Sequence, residues 1–173
     1  MRFLMLVLLI GLSACKFNAR PVANLTFSTF QKVHAGYMIE FYSDIDIDSL
    51  FASAHTRKVV AKKLICALED DRDFSVEHNM ARFFRGGVEF QEAVLEKSRQ
   101  KYRYLSDGIF YLSFDNGSQV TKLTEDEVVS LLSNKKEIEC KVIMTIFLSR
   151  PYYSATMKIS AEKISDLLKA AKE

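Results

Sequence analysis

The sequence predicts an α+β fold: an antiparallel sheet built from hairpin–helix (ββα) units, with the helices packed on one face. Three observations carry that expectation. Apolar and polar residues alternate over several short runs, the period of a half-buried strand. Two pairs of such runs are each followed by a hydroxyl residue and a short amphipathic stretch, as at a capped helix. Those two strand–strand–helix stretches also overlay when the chain is shifted by 36 residues. The composition permits a substantial core, with 49% hydrophobic residues, 13 Phe and 7 Tyr against only 6 Gly and 2 Pro.

Leu25–Phe30 reads as the first strand and Tyr37–Ile47 as the second, with Gly36 suited to the turn between them. In the second, Tyr37, Ile39, Phe41, Ile45 and Ile47 share one face, and Glu40, Asp44 and Asp46 the other. Asp48 is placed to cap a helix over Ser49–Leu68 whose buried side is Leu50, Phe51, Ala54, Leu64, Ile65 and Leu68. His55-Thr56 is its weak point. Glu69-Asp70-Asp71 ends it, because acids oppose the dipole at a helix C-terminus.

Phe74–Arg85 alternates, with Phe74, Val76, Met80 and Phe84 on one face. Gly86-Gly87 is a two-residue hairpin signal, and Val88–Phe90 returns from it. Glu92–Gln100 fits helix and strand alike. Gly108–Phe114 and Ser118–Leu123 form the clearest hairpin, because Asn116-Gly117 tolerates the positive φ of a type I′ turn. Thr124-Glu125-Asp126-Glu127 fits a capping box opening a helix through Leu132. Ile138–Ser149 is a long apolar strand, Arg150-Pro151 a turn and Tyr152–Ile159 a strand. Ser160 caps a last helix with Ile164, Leu167, Leu168 and Ala171 on one side.

The 36-residue shift lays residues 109–132 over 145–168 without a gap. Leu112/Leu148, Ser113/Ser149, Ser118/Ser154, Lys122/Lys158, Leu131/Leu167 and Leu132/Leu168 are identical. Leu25–Leu68 reads as a looser third copy, which completes the expectation of three ββα units.

The chain start carries a different message. Arg2 precedes an unbroken apolar run, Phe3–Leu12, and then Leu12-Ser13-Ala14-Cys15. Ten apolar residues are too few to span a bilayer, which needs about 20. A charged start, a short apolar run and small residues before a cut site describe an export signal. The last four residues resemble the lipobox of bacterial lipoproteins. That resemblance implies a diacylated Cys15 thiol, cleavage before Cys15 and acylation of the new amino terminus. It divides the chain into a signal peptide (1–14), a lipidated tether (15–23) and a single periplasmic domain (24–173). Lys16 stands where an Asp would favour inner-membrane retention in enterobacterial lipoproteins. The resemblance therefore implies the inner leaflet of the outer membrane, with the domain facing the periplasm.

With Cys15 lipidated, Cys66 and Cys140 are left as an even pair in an oxidising compartment, where a disulfide persists. Two separate buried thiols are the alternative. No Cys-x-x-Cys occurs, and His34, His55 and His78 lack ligand spacing, so neither zinc nor another metal or cofactor is expected. Asp44-Ile45-Asp46-Ile47-Asp48 resembles the start of a calcium loop. Ser49 and His55 stand where Gly and Glu are required, so a strand running into a cap explains the carboxylates better.

Lys97, Arg99, Lys101 and Arg103 are spaced by two. On a strand they form one row, readable as an anion-contact surface or as a charged edge that blocks unwanted pairing. Arg57, Lys58, Lys62 and Lys63 read as the solvated face of the first helix. The net charge of +2 falls to +1 without Arg2, which gives no argument for nucleic acid as partner. No Gly-x-Ser-x-Gly, phosphate-loop, His-Glu-x-x-His or Ser-x-x-Lys motif is present, so no enzyme is expected.

The expected function is a non-catalytic, lipid-anchored accessory domain that binds a protein or an envelope component. The alternatives are a protective lipoprotein (phage exclusion, immunity or inhibitor) and a small periplasmic hydrolase.

Overall fold

The computed structural model describes residues 20–52 and 59–170. Signal peptide, Cys15 and most of the tether lie outside them, as do His55, Arg57 and Lys58. The order is β1 (Leu25–Val33), β2 (Gly36–Ser43), α1 (Ser49–Ala52), β3 (Val59–Ala67), β4 (Arg82–Glu96) and β5 (Arg99–Phe114). There follow β6 (Gln119–Lys122), α2 (Glu125–Leu132), β7 (Glu137–Ile146), β8 (Tyr152–Tyr153), β9 (Met157–Ser160) and α3 (Ala161–Ala170).

The α+β expectation is overturned. Strands take 53% of the described residues and helices 17%. All strand pairings are antiparallel, in the order β1-β2-β5-β4-β3-β7-β8, with β6 on β5 and β9 on β7. The sheet curls until its ends nearly meet, as a barrel. There the Ala155 N–H donates to the Ala23 carbonyl at 2.9 Å. The Tyr152 hydroxyl accepts from the Ala23 N–H at 2.9 Å and donates to the Pro21 carbonyl at 3.2 Å. Near-closure leaves little of the exposed edge that an open sheet must protect.

Inward side chains follow the strand period of two. Ile39 and Phe41 on β2, Leu64 and Cys66 on β3, Phe84 on β4, Tyr104 and Phe110 on β5, and Cys140 and Val142 on β7 are fully buried. α2 and α3 pack together, α3 lies along β1, β7 and β9, and Val128, Leu132, Ile164 and Leu168 complete the core. Cys66 and Cys140 sit opposite one another on β3 and β7 and form a disulfide.

Four local expectations fail. Phe74–Arg85 is a strand only from Arg82, with Phe74 and Met80 outside the barrel and Phe84 in its core. Of the described part of the first helix, Ser49–Ala52 is helical and Val59–Ala67 is a strand. Leu64, Ile65 and Leu68 fit either period, and pairing with β4 and β7 decides it. Gly86-Gly87 lies inside β4 and is no turn. The true hairpin turn is Lys97-Ser98, at φ 48° and 63° without a Gly or Asn. Tyr152–Ile159 is interrupted between β8 and β9. The β5–β6 hairpin and the Thr124 capping box form as expected, the Thr124 hydroxyl accepting from the Glu127 N–H.

Segments 109–132 and 145–168 share the order strand, strand, helix but not register. Lys122 pairs with Tyr111, whereas Lys158 pairs with Glu139. The described residues of Leu25–Leu68 hold β1, β2, α1 and β3, an order that ends on a strand and is not a ββα unit.

Candidate functional site

The outer face of β3, β4, β5 and β7 is partly roofed by the loop between β3 and β4. Phe74 and Met80 dip from this loop onto Ala67, Phe83 and Ile143, a second apolar cluster outside the barrel. Side chains serve as braces. Asp71 accepts from the Asp73 N–H at 3.1 Å, and Asp73 accepts from the Ser75 N–H at 2.9 Å. His78 Nε2 meets Asp71 Oδ2 at 2.5 Å, and the Val76 N–H donates to the Tyr153 hydroxyl at 3.2 Å. The Asp71 hydrogen bond raises the His78 pKa above its ordinary value, and the same contact lowers that of Asp71.

Between loop and sheet lies a cleft of about 300 Å³, lined by Lys63, Phe74, His78, Asn79, Phe83, Arg85 and Ser113 among others. A shallower trough of about 820 Å³ continues from it over Gly87, Asp107 and Tyr111, and shares Lys63 and Arg85. Arg85 is held by rings, its guanidinium carbon 4.8 Å from the Tyr111 centroid and 5.8 Å from that of Phe83. Lys63 pairs with Gly87 and Arg85 with Ile65, so the two cations are diagonal neighbours about 7–8 Å apart at their stems. Neither forms an ion pair among the described residues, although Lys62, Lys101, Lys135, Lys158, Arg82 and Arg103 all do. Gly87 leaves the floor between them bare, with nothing within 4 Å of where a Cβ would stand.

The residues singled out from the sequence fall elsewhere. Lys97 is in the β4–β5 turn, and Arg99, Lys101 and Arg103 follow on β5, which is an interior strand of the sheet. Its first residues and the last of β4 run beyond β2 and β3 as a two-stranded arm. There the row meets acids. Lys101 pairs with Glu96, and Arg103 bridges Glu92 at 2.9 Å and Glu40 at 2.7 Å. Glu40 is almost buried and also accepts from Ser28 at 3.0 Å; the Arg103 contact above all holds its pKa below the usual carboxylate range. Asp44, Asp46 and Asp48 do not converge. They bond to Asn24, to the N–H groups of Asp48 and Ser49, and to Lys62. Among the described residues no group of three His, Cys, Asp or Glu is arranged to hold a metal.

Sequence reasoning missed Lys63 and Arg85, because it put Lys63 on a helix and ended a strand at Arg85. The alternation Phe83, Arg85, Gly87, read through the glycines, is the signal that places them on one face. No family model, curated protein or solved structure matches the chain.

Proposed function

We propose that this chain is a non-catalytic binding domain, lipid-anchored through Cys15, that takes an anionic envelope component in the cleft beneath the 69–81 loop. One observation carries the binding part: Lys63 and Arg85 face the cleft as neighbours and neither forms an ion pair among the described residues, although Asp73 and Asp107 line the same space. Arg85 is also pre-oriented by two rings, which reduces what a ligand must order on binding. The trough widens the site toward Tyr111, so the fitting ligand is an extended anion with an apolar or ring-bearing portion. His78 points its two nitrogens at Asp71 and Asp73, so the ring braces the loop and favours binding over hydrolysis. The Cys66–Cys140 disulfide agrees with an exported domain. The anchor follows from Phe3–Cys15, and Lys16 favours the outer membrane with the domain facing the periplasm.

Sedimentation of a soluble form lacking residues 1–15 with envelope fractions at low salt tests the cleft. Lys63→Glu with Arg85→Glu should weaken binding at least about tenfold, as loss of one charge-assisted contact alone removes about 1.5 kcal/mol or more. Reversal of Lys97 and Arg99 should weaken binding less than reversal of the cleft pair. The opposite ranking returns the function to the basic row.

A further inference from the structure

We infer that the barrel end from which residue 20 emerges faces the lipid bilayer, and that Phe147 and Leu148 enter its interface. The inference rests on lipidation of Cys15. Five residues, Cys15–Ala19, precede Arg20. Fully extended they span at most about 18 Å, so the lipid holds Arg20 within that distance of the headgroups. Arg20 is itself fixed, with its guanidinium carbon 4.3 Å from the Phe51 ring centroid. Phe51 packs edge-on against Tyr152, whose hydroxyl ties down Pro21 and Ala23. Tyr152 follows directly on the β7–β8 turn, so that turn and the emerging chain belong to one end of the barrel.

This end exposes what a soluble surface avoids. Leu148 is 90% exposed at φ 51°, a backbone region unfavourable for a leucine, and Phe147 beside it is 57% exposed. Val60 is 62% exposed and follows Val59, which pairs with Ile146 just before the turn. The β4–β5 arm projects past the same end. Asn24 bonds to Asp44, next to the Ser43–Tyr102 pair, and residues 92–101 continue beyond it. The arm carries Leu95, 79% exposed, beside Lys97 and Arg99. Exposed apolar side chains flanked by cations suit an anionic interface. Apolar residues are exposed at the opposite end too, as at Val120 on β6, but the tether cannot bring that end to the lipid.

The chain contains no Trp, so one introduced Trp reports its own surroundings. Purified lipidated protein carrying Leu148→Trp, Phe147→Trp or Val120→Trp is reconstituted into vesicles of phosphatidylethanolamine and phosphatidylglycerol with brominated acyl chains. Flotation with the vesicles reads the anchor, and Trp quenching reads the orientation. An interfacial side chain lies about 5–10 Å into the headgroup–acyl boundary, so the Leu148→Trp and Phe147→Trp variants should lose about half their emission. The Val120→Trp variant should lose none. Flotation without quenching at either turn position, or with equal quenching of the Val120→Trp variant, overturns the orientation and leaves the anchor standing. Protein that carries no fatty acid and does not float overturns the anchor and the orientation with it.

Discussion

Replacing Gly86 by Ala should destabilise the barrel, whereas the same change at the next residue, Gly87, should stabilise it. Gly86 faces inward and lies opposite Gly108 on β5. A Cβ on Gly86 would stand 2.7 Å from the Asp107 carbonyl oxygen, and one on Gly108 would stand 2.6 Å from the Gly86 Cα and from the Phe84 ring. Backbone cannot swing aside as a side chain can, so β4 and β5 must part. Overpacking of this kind costs about 1–3 kcal/mol. For a chain of this size a loss of 2 kcal/mol lowers Tm by about 4–8 °C. Gly87 faces outward over open space and its φ is not positive. Ala there removes unfolded-chain entropy at no steric cost and should add about 0.4–1 kcal/mol. Urea unfolding followed by far-UV circular dichroism reads both, with opposite shifts in midpoint at constant m. If Gly86-Gly87 instead formed a tight turn with positive φ, both substitutions would destabilise. Two midpoints that fall together would therefore refute the strand assignment.

Other perturbations test separate parts of the structure. The disulfide closes a loop of 74 residues in sequence separation, and in the chain-entropy model that is worth roughly 4.5 kcal/mol; Cys66→Ala with Cys140→Ala should lose about that much stability, and a urea midpoint that hardly moves would deny the bridge its structural role. Ser98→Gly should relieve the left-handed turn at φ 63° by about 1 kcal/mol and slow amide exchange along the arm; faster exchange there would contradict the turn geometry. The His78–Asp71 pair has a defined pH window. His78 is raised, so its contribution is complete below 6.5 and fades as pH rises through the folded value; Asp71 is lowered, so its contribution is complete above 3.8 and fades as pH falls through the folded value. An NMR titration should place His78 above 6.5, and Asp71→Asn should bring it back toward that value; a midpoint unmoved by Asp71→Asn would remove the brace.

What could be read from the sequence was what local chemistry decides. Asn116-Gly117 and the Thr124–Glu127 box specify a turn and a cap by their own side chains, and both form. The Cys66–Cys140 pair followed from counting thiols once Cys15 was set aside. The architecture was misread because two signals were ambiguous locally. Val59–Ala67 satisfies helical and strand periods alike, and only its neighbours β4 and β7 settle the choice. Gly86-Gly87 has turn composition but serves a close approach of strands. Taking it for a turn hid the 15- and 16-residue strands β4 and β5, and with them the barrel. It also hid the candidate site, because Lys63 and Arg85 become neighbours only when β3 and β4 pair. The basic row was visible from its spacing of two. The acids facing it were not, since Glu40 comes from β2 and Glu92 from across the hairpin.

The proposed hold of Lys63 and Arg85 on an anionic envelope component in the cleft is open to a direct test. A photo-reactive amino acid at Asn79, on the cleft wall, tests it in intact cells carrying the full chain. Irradiation should link the protein to an envelope component. That product should disappear when Lys63→Glu and Arg85→Glu are combined, while the disulfide and the level of folded protein stay unchanged. A product that persists at full yield in the charge-reversed protein would contradict the account.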